Sequence, residues 1–158
     1  MKEDASKLLY KVLRDNNYSV TKARKLVFDL LWDHEPQSMH DLVTGADSRI
    51  DRASLYRIIG LFEKLGVAQR LYIGWKHKVE LSDIFSHHHH HIACMGCGKL
   101  IAIREDNEIE QLIHSLAKRN RMTAERHQLE IQGYCETCLA TRATPVTKRN
   151  RSRKLAGF

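Results

Sequence analysis

The chain has 158 residues, 42% of them hydrophobic, and a formal net charge of +7. That length holds one domain or two small ones with globular cores, and no apolar run approaches the ~20 residues that a membrane-spanning helix needs. The charge is uneven. Fourteen basic and twelve acidic side chains leave residues 1–83 at only +2, whereas residues 143–158 hold Lys148, Arg149, Arg151, Arg153 and Lys154 and no acid. This last stretch reads as a basic disordered tail that adds sequence-independent attraction to phosphates.

Helical spacing starts at once. Ala5, Leu8, Leu9, Val12 and Leu13 fall on one face of a first helix. Thr21 caps a second, whose apolar face is Ala23, Leu26, Val27, Leu30 and Leu31. Ser38 and Asp41 form an S-x-x-D start for a short third helix that ends near Gly45. Asp51 caps a fourth, with a buried stripe of Leu55, Ile58, Ile59, Phe62 and Leu65 and a stop at Gly66. Its other face carries Arg52, Tyr56, Arg57 and Lys64. Residues 67–81 are rich in strand formers and broken by Gly74-Trp75, a β-hairpin with Lys76 and Lys78 near its tip.

Three helices, a basic-faced helix and a hairpin make a winged helix-turn-helix, with the fourth helix in the major groove of DNA. Arg57 is placed to meet a base edge or a phosphate and Tyr56 a thymine methyl or a phosphate. A merely solvated face is the competing account, and the small charge of this half does not decide between them.

The second half is built differently. Residues 100–103 read as a strand, 106–120 as a helix with Ile109, Leu112, Ile113 and Leu116 on one face, and 128–132 as another strand. This unit lies between two C-x-x-C pairs, Cys94/Cys97 and Cys135/Cys138. Two such pairs complete the tetrahedral four-sulfur shell that zinc prefers. Disulfides and a thioredoxin-like redox pair are the alternatives. The opening Met1-Lys2-Glu3-Asp4 is charged and no apolar segment follows. A reducing cytoplasm is therefore the expected location, which disfavours disulfides. A unit this small buries little surface alone, so zinc and self-association are the expected remedies. Five consecutive histidines fill residues 87–91 just before the first cysteine pair.

Taken together, Val20-Thr21-Lys22-Ala23-Arg24, Ala53-Ser54-Leu55-Tyr56-Arg57, the histidine run leading into Cys94-Met95-Gly96-Cys97-Gly98-Lys99, and residues 127–135 give a chain that resembles the Fur family of metal-dependent bacterial repressors. Order and spacing match over about residues 18–138. The resemblance implies an α+β chain: an amino-terminal winged helix-turn-helix domain, residues 1–83, then a small α+β zinc-binding dimerisation domain, residues 84–142. It also implies a structural zinc on Cys94, Cys97, Cys135 and Cys138. A regulatory hinge site is implied on His89 and His91 with Glu80, with Asp83 as a rival carboxylate because extra residues follow Glu80. Glu35 or His34 stands in for the family's ligand from the DNA-binding domain, near Pro36. Ala102 occupies a position where some members have an acidic ligand. A second site, wholly in the dimerisation domain, is implied on His88, His90, Glu110 and His127. Three imidazoles and a carboxylate suit zinc, iron, cobalt or nickel better than magnesium or calcium.

The expected function is a metal-responsive transcriptional repressor, not an enzyme, acting as a homodimer on palindromic double-stranded DNA. Arg24, Arg52, Tyr56, Arg57, Lys64 and Lys76 are the expected DNA contacts. The expected cofactors are structural Zn2+ and a regulatory Fe2+ or Zn2+, with Mn2+ and Ni2+ as alternatives. Zinc sensors of the family that this chain resembles often bring an additional cysteine to the regulatory site, and with none to spare here the resemblance places iron ahead of zinc. A zinc hydrolase with an open His/Glu site is the alternative class, but no H-E-x-x-H helix supports it. A zinc-held architectural DNA-binding protein is the third.

Overall fold

A computed structural model describes residues 2–143 apart from Asp33, Trp75 and Arg126. The described residues form α1 (Lys2–Asp15), α2 (Lys22–Leu31), α3 (Met39–Ala46), α4 (Arg52–Lys64), β1 (Ala68–Ile73), β2 (Lys76–Leu81), β3 (His89–Cys94), β4 (Leu100–Arg104), α5 (Asn107–Arg119), β5 (Glu130–Gly133) and α6 (Glu136–Ala143). The expected tail lies outside the described residues from 144 onward.

The helix starts follow from their caps. Thr21 accepts from the Arg24 amide, Asp51 from the Ser54 amide, and Ser38 and Asp41 exchange bonds in a full capping box. Each satisfies donors that an α-helix leaves open at its first turn. α3 ends near Gly45 as expected, at Ala46, and Asp47 rather than a glycine takes the left-handed position at φ 46°. A short polar side chain tolerates that conformation better than most. Gly66, at φ 67°, does follow α4.

The apolar stripes of α1 to α4 meet in one core: Leu9, Leu13, Val27, Phe28, Leu42, Leu55, Ile59, Phe62, Val67 and Val79 are essentially solvent-free. β1 and β2 pair antiparallel from Ala68↔Leu81 to Ile73↔Lys76, and Gln37 bridges to Val79 on the far side of β2. The wing is thereby tied to the segment that enters α3. Removing a fully buried leucine such as Leu42 from a core of this kind costs ~2–5 kcal/mol.

The second unit is a three-stranded sheet in the order β4-β3-β5, with β3 antiparallel to β4 and parallel to β5. β3, the histidine strand, is central. Period-two alternation sends His88, His90 and Ile92 to one face and His89 and His91 to the other. α5 meets the first face at its start, where Glu110 reaches His90. No residue of α5 is buried. Ile92 stands opposite Ile101 on β4 and Ile131 on β5, and all three are exposed, as are Leu112 and Leu116 of α5. The sequence reading had no counterpart for α6, and it began β5 two residues early.

The two units touch along the wing. Gln132 donates to the Tyr72 carbonyl at 2.8 Å and Gln128 to the Arg70 carbonyl at 3.3 Å. The turn after β2 belongs to the first unit: Phe85 packs edge-on against Phe28 at 5.1 Å, and the Ser82 amide bonds the Val67 carbonyl.

Candidate metal centres and the basic helix

Cys94, at the end of β3, and Cys97 form one knuckle, and Cys135 and Cys138, flanking the start of α6, form the other. Their four sulfurs lie within 4.8 Å of one another. Cys97 and Cys135 Sγ are 4.0 Å apart. Zinc–sulfur bonds of ~2.3 Å in a tetrahedron give an edge of about 3.8 Å. The first knuckle closes through the Gly98 amide on the Cys94 carbonyl and the Cys94 amide on the Lys99 carbonyl, both 2.8 Å. Gly98 takes φ 77° there, a conformation that glycine adopts without penalty. Gly96 is needed for space, since a Cβ on it would stand 2.8 Å from both Cβ and Sγ of Cys138. The backbone amide of Cys135 donates to Cys94 and draws that thiol down to about 6. Cys138, crowded by the sulfurs of Cys135, Cys94 and Cys97, is pushed up to about 12. Four sulfurs so arranged cannot all ionise without a cation among them. The donor set fits zinc.

The second cluster brings together residues far apart in sequence. His90 projects from β3 and His88 from the residue just before it, Glu110 from the first turns of α5, and His127 from the loop before β5. Glu110 Oε1 lies 3.0 Å from His90 Nε2, 3.2 Å from His127 Nε2 and 3.5 Å from His88 Nε2. A tetrahedral ion with ~2.0–2.1 Å bonds has edges of about 3.3–3.4 Å. Burial opposes the charge on Glu110, but His90, then His127 and His88, hold its carboxyl below the usual range.

The third cluster crosses between units. Glu80, on β2, is buried, and its Oε2 lies 3.4 Å from both His89 and His91 Nε2. Those lengths are the same tetrahedral edge. His91 Nε2 is buried and faces Glu80 without a well-aligned hydrogen bond, a poorly satisfied buried atom that a metal would satisfy. His89 bonds the His87 carbonyl through Nδ1, which turns Nε2 toward Glu80. Burial disfavours a charged Glu80, yet His91, the Gln69 amide and His89 together keep its carboxyl low.

Two expected hinge ligands are not in this cluster. Asp83 instead bonds His88 Nδ1 at 2.7 Å, on the other face of β3. Glu35 lines the same cleft of about 970 Å³ as Glu80, His89 and His91, together with His34, His87 and Ala102, but stands outside the ligand group. Counting along the chain does not reveal that Phe85 turns the segment inward and carries Asp83 across.

On α4, Tyr56 is 44% exposed and Arg52, Arg57 and Lys64 are exposed. Arg52 stacks over Tyr56 at 5.5 Å and Arg57 bonds the Ser54 hydroxyl. Lys76, exposed at the start of β2, shares a cleft of about 440 Å³ with Tyr56 and with Cys97 and Gly98 of the zinc knuckle. Arg24 is half-buried, its guanidinium bonded to the Ser19 carbonyl and 5.4 Å over the Tyr18 ring.

The ferric uptake regulator family model matches residues 15–132. The chain belongs to this family. The ferric uptake regulation protein of Klebsiella pneumoniae is 30% identical over 153 residues, covering 86% of this chain and 95% of its own. The ferric uptake regulator of Vibrio cholerae superposes with a TM-score of 0.66 at 28% identity, over 80% of this chain and 98% of that one. The Helicobacter pylori regulator superposes with a TM-score of 0.73 at 24% identity, over 88% and 94%, and speaks to the fold alone. The α+β architecture, a winged helix followed by a zinc-binding dimerisation unit, is thus that of the ferric uptake regulators.

The sequence reading missed Gln69 altogether, and it named Asp83 as a hinge ligand but not as a partner of His88. Gln69 donates to Glu80 at 2.7 Å, and Asp83 holds His88. A period-two count places Gln69 and Glu80 opposite each other only once the hairpin register is fixed, and no local signal marks either role.

Proposed function

We infer that this chain is a metal-responsive transcriptional repressor that binds palindromic operators as a metal-loaded dimer and controls metal-ion homeostasis. The DNA-binding domain is expected over residues 1–83, with the turn through Phe85 packed onto it, and the dimerisation domain over the rest of residues 84–142. One observation carries the reading: Glu80 of the wing strand sits 3.4 Å from both His89 and His91 of the dimerisation sheet. An ion held there fastens one domain to the other. Metal then favours one inter-domain arrangement over others, and if that arrangement binds DNA better, metal and DNA binding are coupled.

Other features support the same account. Tyr56 and Lys76 share a cleft with Cys97 and Gly98 of the zinc knuckle, so a swing of the winged helix away from the knuckle would open both more fully to duplex DNA. Rearrangement of the DNA-binding domains has been described for the Vibrio cholerae relative. The exposed row Ile101, Ile92, Ile131 and the neighbouring Leu112 and Leu116 form an apolar face that a second copy would cover. The structural ion is zinc on the four cysteines. The relatives' naming as ferric uptake regulation proteins and the imidazole–carboxylate donors favour Fe2+ as the sensed ion, with Zn2+ next. When bound, the ion supplies only charge and geometry. The imidazoles and carboxylates do the rest by fixing where β2 and β3 sit.

The test uses a duplex selected from a random pool by the metal-loaded protein. Fe2+, titrated anaerobically, is expected to tighten binding roughly 5- to 150-fold; binding that is indifferent to Fe2+, Zn2+, Mn2+ and Ni2+ alike would sink the reading.

DNA contact is assigned to Arg52, Tyr56, Arg57 and Lys64 of α4 and Lys76 of the wing, with Arg24 on a phosphate. Arg57→Ala is expected to cost ~1–3 kcal/mol of operator affinity and relax specificity at one position per half-site, leaving zinc content and dimerisation unchanged. Arg24→Ala is expected to lower affinity for all sequences and flatten its salt dependence. Parent-like operator binding by Arg57→Ala means that α4 presents a different face.

A further inference from the structure

The turn after the wing carries a carboxylate whose partner lies in the other domain. Ser82 is 1% exposed, its amide bonds the Val67 carbonyl at 3.1 Å, and its hydroxyl bonds the Gly66 carbonyl. Phe85 is anchored on Phe28. Asp83, between them, is therefore fixed to the winged-helix core. Its Oδ2 nonetheless lies 2.7 Å from Nδ1 of His88. The other nitrogen of that ring faces His127 Nε2 at 2.9 Å and Glu110 Oε1 at 3.5 Å.

An imidazole that donates Nδ1–H to a carboxylate presents the lone pair of Nε2. That is the form a metal requires, and the bond also fixes the ring plane and raises its basicity. His90 has no such support, since its Nδ1 is buried without a hydrogen-bond partner. Within this cluster the orienting carboxylate for His88 comes from the opposite domain.

We propose that Asp83 is a positioning residue for the His88, His90, Glu110 and His127 metal site, and that through it this site is coupled to the winged helix. The proposal rests on reading that cluster as a metal site. Its four ligands lie in one domain, so by themselves they do not report the position of the other. Asp83 changes this. A cation on Nε2 polarises the ring and strengthens the Nδ1–H bond to the carboxylate, which holds the turn at 82–85 against β3. The coupling is reciprocal: a winged helix held in place raises metal affinity at the second site.

The experiment uses the full-length, zinc-replete protein carrying His89→Ala and His91→Ala, so that only the second site reports, with Co2+ as probe. Affinity is read by chelator competition and the cobalt absorption spectrum, and coupling by amide hydrogen exchange over residues 82–86. Asp83→Ala is expected to weaken Co2+ 10- to 100-fold. Asp83→Asn, whose amide oxygen accepts the same bond, is expected to recover most of that loss. Co2+ is expected to slow exchange at 82–86 in the parent and not in Asp83→Ala. Asp83 is exposed, and retained zinc content reports an intact fold. Parent-like Co2+ affinity in Asp83→Ala overturns the positioning role while the metal site stands. Weakened affinity with full protection at 82–86 overturns the coupling. A parent that binds no Co2+, or one whose binding survives His88→Ala with His90→Ala, removes the site and the proposal together.

Discussion

Cys97→Ser is expected to abolish zinc binding and, with it, the folded dimer. The carboxy-terminal unit has little else to hold it. Its helix α5 has no buried residue, β5 spans only Glu130–Gly133, and the core cluster lies wholly in residues 5–81. A closed four-sulfur zinc site contributes ~10–16 kcal/mol of apparent binding free energy at neutral pH, and in small domains that energy is folding energy. The whole stability of a domain is only ~5–15 kcal/mol. Losing one of four thiolates therefore outweighs anything that α5 and three short strands supply. Gly96→Ala should show the same failure in milder form. The added methyl meets Cys138 at 2.8 Å, and the second knuckle must move away to admit it. Zinc content by metal analysis and mass by sedimentation decide the matter. A zinc-free Cys97→Ser protein that sediments as a folded dimer would mean that the sheet, and not the metal, holds this unit together.

The parts of the molecule that were legible in the sequence are those fixed by local rules. Ser38 and Asp41 predicted their capping box because both partners lie within one helical turn. The stripe Leu55, Ile58, Ile59, Phe62 named the buried face of α4 because burial there follows the helical period. The four cysteines were legible because a chelating pair needs only two intervening residues. What local rules did not reach was non-local. Asp83 lies three residues after Glu80 and five before His88, and distance along the chain left its face of β3 open; the anchoring of Phe85 on Phe28 decides it. Glu110 and His127 entered only through family resemblance, since nothing local on α5 distinguishes Glu110 from Glu108. α6 was missed because its eight residues carry no clear apolar face, and the second knuckle, not a stripe, sets its start.

Changing His89 and His91 together to alanine is expected to leave a folded, zinc-containing dimer that no longer tightens on operator DNA when metal is added. The reason is geometric. Among the three candidate clusters, only this one takes direct ligands from both domains, Glu80 from β2 and the two histidines from β3. Removing them erases a coupling of ~1–3 kcal/mol, so the 5- to 150-fold metal effect on DNA affinity collapses toward unity. Buried Glu80 then loses the imidazoles that keep its carboxyl low. It still has Gln69, so the wing should remain folded. The matching change at His88 and His90 is expected to reduce the metal response less, because that site reaches the winged helix only through the Asp83–His88 hydrogen bond and not through a shared ion. Fluorescence anisotropy with and without Fe2+ on both double variants settles the order. Should the His88/His90 variant lose the response while the His89/His91 variant keeps it, the intra-domain site is the sensor. Asp83, and not Glu80, would then be the residue through which metal moves the DNA-binding domain.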